Sequence, residues 1–226
     1  MTELPPDVLL SLLVWGTLVG LDLVSVPQAM IARPLVAGTV AGWLIGDVQT
    51  GLRLGVLFEL FALDVLPVGA VRYPDYGPPT VAAVVLGAGS IWQLGLGLSV
   101  ALGLLLALVG GWSLQVVRRW NARAIQQRAA ALAAGESSAI RRLQYGGLLR
   151  DSLRGLTLTL LGVALALVIK DKVRLDEQTQ LALTLVAIGS ALAAAVNGAL
   201  RTSGRSARLK WLAAGAGVGV LMAVLA

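Results

Sequence analysis

The chain has 226 residues, 57% of them hydrophobic and 13% charged, with 18 Lys and Arg against 12 Asp and Glu, and with no His and no Cys. A charged fraction about half that of soluble domains excludes an ordinary soluble protein. The missing His and Cys exclude disulfides, His- or Cys-ligated zinc, a Cys nucleophile and a His general base. The net charge of +6 comes with no RNA- or DNA-binding motif. It follows from the Lys and Arg bias of cytoplasmic loops, so no nucleic-acid partner is expected. The expected class is an all-α, polytopic membrane protein: one membrane-embedded domain over 1–226 with about eight hydrophobic segments, in contact with lipid.

Those segments fall near 8–31, 34–46, 51–70, 78–94, 95–117, 152–169, 179–199 and 209–226. The first lacks a basic start and a small-residue cleavage site, so it is expected to be a retained span and not a signal peptide. Pro27-Gln28 interrupts it, with Asp22 just upstream. Proline removes a backbone donor, Gln28 supplies an amide at the break, and broken helices at mid-membrane are where transporters place substrate. A simple kink with a partnered Gln is the alternative. Arg33-Pro34 then closes the break. The segment 34–46 covers only about 20 Å at about 1.5 Å per residue, too short for about 30 Å of hydrocarbon. With GDVQTG turning directly into the next segment, 34–70 is expected to form a helical hairpin, either crossing or re-entrant. A re-entrant form survives only where buried in protein or lining a cavity. Gly38, Gly42, Gly46, Gly51 and Gly55 recur at near-fourfold spacing, and Gly215, Gly217 and Gly219 cluster later. Both sets are expected to offer close-packing faces to a helix of another subunit.

The run GVLFELFALDVLPVG (55–69) carries Glu59 and Asp64. A charged side chain at a helix centre costs about 2.5–3.5 kcal/mol on insertion scales, so each needs a reason. A spacing of five turns about 140° on a helix, so the two reach one cavity only if the helix breaks before Pro67. Glu59 is expected to accept hydrogen bonds from the hydroxyls of a polar solute, with Asp64 lining the path or fixing local structure. An ion pair of Glu59 with Arg33 or Arg53 is the competing reading. The irregular stretch VRYPDYGPP (71–79) follows. Tyr73 and Tyr76 there fit an interfacial aromatic belt, while Asp75, held by Pro74, is a further substrate-binding candidate.

Hydropathy drops over 118–154, which holds eight Arg with Glu136 and Asp151. This basic, amphipathic stretch is expected to be a cytoplasmic connector broken at Gly135 and Gly146-Gly147. It would lie on anionic lipid or dock a cytoplasmic partner. The loop 170–178 balances its charges, whereas 200–210 has Arg201, Arg205, Arg208 and Lys210 without an acid. The positive-inside rule places 118–154 and 200–210 in the cytoplasm and 170–178 outside. The acidic N-terminus is then outside if all eight segments cross.

The run RPLVAGTVAGWLIGDVQTGLRLGVLFELFALDVLPVGAVRYPD (33–75) resembles the IIC membrane component of the mannose/fructose/sorbose branch of the bacterial phosphotransferase system. Its pattern is carried by Arg33-Pro34, Gly38, Gly42, Gly46-Asp47, Thr50-Gly51, Gly55, Glu59, Ala62-Leu63, Val68-Gly69-Ala70 and Pro74-Asp75. The resemblance implies a multi-pass permease subunit of the bacterial cytoplasmic (inner) membrane. It would pair with a IID membrane subunit in a hetero-oligomeric hexose channel, and IIA and IIB in the cytoplasm would carry and transfer the phosphoryl group. It implies no enzymatic activity, cofactor or metal on this chain. It makes Glu59 the foremost sugar-contact candidate, followed by Gln28, Asp75 and Asp64. Arg33, Pro34, Gly46, Asp47, Thr50, Gly51 and Gly69 form its structural motif. Pro67 and Asp64 depart from the related mannose permeases, which carry Asn and a small residue there. A regulatory membrane anchor that does not transport and an ion-coupled secondary transporter are the other two readings.

Overall fold

The computed structural model describes residues 4–65, 71–89 and 95–200, together with 204, 206, 209–211, 213–215 and 217. Up to residue 200 the described residues form eight helices and no strand: α1 (Pro6–Asp22), α2 (Pro34–Ile45), α3 (Val48–Ala62), α4 (Gly77–Gly87), α5 (Leu96–Gln126), α6 (Ala129–Ala133), α7 (Ser137–Lys172) and α8 (Glu177–Leu200). Three of them, α5, α7 and α8, are long and apolar enough to cross a membrane, and α2 and α4 are shorter apolar helices. This is a multi-pass helical membrane protein. Of the eight expected segments, three coincide with helices of spanning length. The last, 209–226, and the whole of Gly69's neighbourhood at 66–70 fall largely or wholly outside the described residues.

The first apolar segment stops being helical at Asp22 and not near 31. The Asp22 carboxylate accepts hydrogen bonds from the backbone N–H of Ala29 at 2.6 Å and of Ala32 at 2.9 Å. These donors belong to a segment that has left the helix, with Gln28 and Met30 at φ +58° and +63°. Asp22 is itself 4% exposed, so a buried carboxylate at the end of α1 fastens the chain reversal that follows it through two backbone N–H groups.

Pro34 opens α2 at the position where a missing N–H costs nothing, and Gly46 closes it in the left-handed region at φ +84°. Asp47 then caps α3, accepting from Thr50 N–H at 3.0 Å, and its second oxygen accepts from Gly89 N–H at 3.1 Å. The short GDVQT turn thus satisfies two helix ends and ties the hairpin tip to the end of α4. The glycine stripe works inside this hairpin and is not offered to another subunit. A Cβ on Gly42 would lie 2.6 Å from the Asp47 carbonyl and 2.9 Å from Gly51 Cα, and one on Gly38 would lie 2.7 Å from the Gly51 carbonyl. The expected intersubunit face at 38–55 is therefore corrected to an α2–α3 contact. Among the described residues nothing lies within 4 Å of a Cβ at Gly215 or Gly217, and Gly219 lies outside them.

Every residue of α4 is buried. At about 1.5 Å per residue it is only about 16 Å long, a short central rod packed by α1, α2, α3, α5 and α7. Short, apolar and enclosed, it is the kind of element that persists at membrane depth only inside protein. The 118–154 stretch is not a separate connector in shape. The helix of α5 runs on to Gln126 and α7 begins at Ser137, so only α6 and its flanking turns lie between. Gly135 does break the chain, at φ +73°, but Gly146 and Gly147 lie inside continuous α7. Hydropathy dropped because the helices carry charge there and not because they end. In the α7–α8 loop, the Thr179 hydroxyl donates to Asp176 at 2.6 Å and the Thr179 N–H at 3.0 Å, holding this exposed carboxyl below its usual range.

The densest polar contact in the interior is made by Arg154 of α7, whose side chain is 3% exposed. It donates to Asp75 at 2.6 Å, to Asp151 at 2.9 Å and to the Gly20 carbonyl at 2.9 Å. Asp151 also accepts from the Ser25 hydroxyl at 2.6 Å. Asp75 accepts in turn from Gly77 N–H at 3.2 Å, at the start of α4, and its own N–H bonds the Ala107 carbonyl of α5 at 3.0 Å. One guanidinium thereby joins α1, the chain after it, the approach to α4 and α7.

Two outcomes are expected for thermal melting of the purified protein in detergent. Gly42→Val should destabilise by about 1–3 kcal/mol, because backbone atoms on the facing helix cannot yield, whereas Gly189→Val, with nothing within 4 Å, should be near neutral. Arg154→Met should cost about 3–5 kcal/mol by stranding two buried carboxylates, and adding Asp75→Asn should recover part of that loss. A melting point unmoved by Arg154→Met would remove the network from the forces that hold the fold.

Candidate functional site

The break between α1 and α2 and the approach to α4 border an open cavity of about 320 Å³. Asp22, Gln28 and Arg33 line it from the first break, Ala62 and Val65 from the end of α3, and Tyr73, Pro74 and Tyr76 from the irregular stretch before α4. Irregular backbone follows from sequence at the Arg33-Pro34 helix start and the proline-rich 71–79, whereas Gln28 takes φ +58° although its residue type does not favour that region. The cavity falls at the small end of ordinary ligand pockets, about 300–1,000 Å³.

Arg33 is the cationic group of this wall, and Glu59 of α3 holds it in an ion pair. The side chain of Arg33 is 53% exposed and that of Glu59 17%. Glu59 also accepts from Leu35 N–H in the first turn of α2 at 3.2 Å, where a carboxylate is favoured by the helix dipole. Glu59 thus stands behind Arg33 and fastens the start of α2 to α3. A guanidinium has five N–H donors, more than one carboxylate takes up, so Arg33 can present donors to a solute while staying anchored. Asp22 contributes its surface to the wall while its oxygens serve Ala29 and Ala32.

The sequence candidates separate in space. Gln28 and Arg33 line the cavity together; Glu59 reaches it through Arg33. Asp64 turns toward α8 and accepts from the Asn197 amide at 2.7 Å, where Gly198 brings that helix against Leu63 and Asp64. Asp75 is 1% exposed and is engaged by Arg154, so it supports the wall from behind. Gly46, Asp47, Thr50 and Gly51 build the hairpin tip described above, and Gly69 lies outside the described residues. Tyr73 is held against α5: the Arg118 guanidinium stands 5.4 Å from its ring centre and donates to its hydroxyl at 3.1 Å. The belt reading did not anticipate this tie. Sequence reasoning also missed Arg154 and passed over Asp151 and Arg118, since all three fell in a run read as solvated. The signal was there in Asp151 and Arg154, an i,i+3 pair at the edge of the apolar segment 152–169.

The family model described as "PTS system sorbose-specific IIC component" matches residues 8–195, which include every described wall of the cavity. A sorbose-specific EIIC component of Klebsiella pneumoniae is 35% identical over 68 residues, 30% of this chain and 26% of that protein. A fructose permease IIC component of Bacillus subtilis is 38% identical over 68 residues, 30% of this chain and 25% of its own. The chain thus spans about a quarter of the length of the curated relatives it matches. A solved "Structure of membrane protein" shares the fold with a TM-score of 0.74 at 20% identity, covering 99% of this chain and 96% of its own. The cryo-EM structure of the mannose transporter ManYZ with Microcin E492 does so with a TM-score of 0.60 at 20% identity, covering 99% and 95%. By the match over most of its length, the chain belongs to the PTS sorbose-specific IIC component family.

Proposed function

We propose that this chain is the membrane channel subunit of a phosphoenolpyruvate-dependent sugar phosphotransferase permease in the bacterial cytoplasmic membrane. It binds a hexose-type sugar in the cavity between the α1–α2 break and residues 73–77 and passes it inward. The observation that carries this reading is the cavity itself, with Gln28 and Arg33 on its wall, inside the family match. The relatives' names, sorbose, fructose and mannose, are all hexoses and support the substrate class.

Gln28 offers a donor and an acceptor to sugar hydroxyls, and Arg33 offers donors only. Glu59 fixes Arg33, Asp75 fixes the opposite wall through Arg154, and Asp64 ties α3 to α8. No His and no Cys is present to carry a labile phosphoryl group, so its transfer falls to cytoplasmic IIA and IIB proteins. The second membrane subunit is a IID protein, a partnership supported by the fold shared with ManYZ. The basic 118–154 stretch belongs on the cytoplasmic side, within a single domain over 1–226.

Uptake into vesicles that contain the chain, its cognate IID and the phosphocarriers tests this reading. Gln28→Leu should raise KM roughly tenfold, the loss of about one hydrogen bond to the sugar, with melting unchanged. Glu59→Gln should also weaken sugar affinity roughly tenfold by loosening Arg33. The exchange Arg33→Glu with Glu59→Arg re-forms the ion pair but puts a carboxylate at the cavity, so uptake should stay low. Full recovery of uptake in the exchanged protein would reduce the pair to a brace, and wild-type KM in Gln28→Leu would place the sugar elsewhere.

A further inference from the structure

A second cavity of about 450 Å³ adjoins the first. Leu23 and Gln28 line both, so the chain reversal after α1 is a shared partition. The second cavity takes its other polar groups from three elements: Ser25 from the reversal, Arg118 and Asn121 from α5, and Asp151 from α7. A third cavity, of about 350 Å³, continues from it through Ser25 and Asn121 toward Gln144 and Arg150. The three form a series that runs from the α1–α2 break into the charged ends of α5 and α7.

The polar groups of the second cavity are only partly used. Asn121 accepts from Arg150 at 2.8 Å through its carbonyl oxygen, which leaves the two N–H donors of its amide. Arg118 gives one nitrogen to Tyr73, a wall of the first cavity. Its Nη1 is buried without a hydrogen-bond partner among the described residues. A buried donor left without a partner is unfavourable, so an acceptor is called for there. Asp151 is 2% exposed, and its oxygens take the Ser25 hydroxyl and Arg154. Surplus N–H donors from Arg118 and Asn121, beside a carboxylate already engaged by Ser25 and Arg154, can take the hydroxyl oxygens of a neutral polyhydroxyl ligand.

From this we infer that the cavity of Ser25, Gln28, Arg118, Asn121 and Asp151 is a second station for the same sugar, entered from the first past Gln28. The inference rests on the sugar-binding reading of the first cavity. Gln28 serves both stations, and Arg118, bound to Tyr73, couples the wall of one to the donors of the other.

Since the chain has no cysteine, single cysteines report without background. Val117→Cys marks the second cavity and Ala62→Cys the first. The full chain with its cognate membrane partner is held in vesicles and treated from each side with a charged methanethiosulfonate. Modification rates are followed against increasing mannose, fructose or sorbose. The sugar that protects Ala62→Cys should also protect Val117→Cys, with its own half-saturating concentration. At ten times that concentration the rate should fall about tenfold by mass action. Asn121→Leu should abolish protection at Val117→Cys and leave that at Ala62→Cys, which also certifies the fold. A Val117→Cys that does not react, or that reacts at the same rate with and without sugar, overturns the second station. So does protection at both positions with one half-saturating concentration, unaltered by Asn121→Leu, since a single site then governs both. Protection at Val117→Cys without any at Ala62→Cys keeps the second station and refutes the first. Protection at neither refutes both.

Discussion

Arg154 is the group on which the interior depends. It is a guanidinium enclosed by two carboxylates and a carbonyl, in a protein whose other central contacts are nearly all apolar. Desolvating such charges is expensive, and their mutual attraction offsets the cost only where geometry is good and remaining polar atoms are bonded. Here they are: Asp75 receives Gly77 N–H at the start of α4, and Asp151 receives Ser25. Arginine is suited to this position because its planar fork reaches several fixed acceptors at once, which the single ammonium of lysine does not.

The location of that network explains why the cavity has firm walls although it is made of irregular chain. One wall, around Leu23 and Gln28, is fastened through Ser25 to Asp151. The facing wall, Tyr73 to Tyr76, is fastened through Asp75 to Arg154. Both anchors belong to α7, three residues apart. Two backbone donors of the α1 reversal, Ala29 and Ala32, go to Asp22, and the Leu35 N–H at the start of α2 goes to Glu59. Four acids thus each satisfy backbone or arginine donors at a place where a helix starts, stops or is approached. Chain breaks in a membrane protein leave backbone groups that lipid cannot satisfy, and side-chain acceptors such as these supply the partners.

What could be read in the sequence follows from distance along the chain. The Arg33-Pro34 start, the Gly46 stop and the Asp47-to-Thr50 cap are local, so residue type and spacing state them outright. The hairpin expected over 34–70 was legible for the same reason as far as its described helices, α2 and α3, run, as was the need for Glu59 to have a partner. The glycine stripe was read correctly as a close-packing face but assigned to the wrong neighbour, because periodicity says that a face is used and not by which helix. Asp22, Asp75 and Arg154 were harder. Arg154 and Asp75 are 79 residues apart, and a hydropathy window averages Arg154 into the basic run that precedes it. The true end of α1 was hidden too, since VSVPQAM is apolar enough to extend a span, and only the bonds to Asp22 show that the helix has ended.

The central claim is that a sugar occupies the cavity at the α1–α2 break, with Arg33 held to it by Glu59. A cryo-EM structure of the chain with its cognate membrane partner, solved in saturating mannose, fructose or sorbose, tests this most directly. Ring-shaped density should lie between Gln28, Arg33 and Tyr73, with the Arg33–Glu59 ion pair intact. Sugar density against Glu59 with Arg33 turned away, or at a place that touches neither Gln28 nor Arg33, would contradict it.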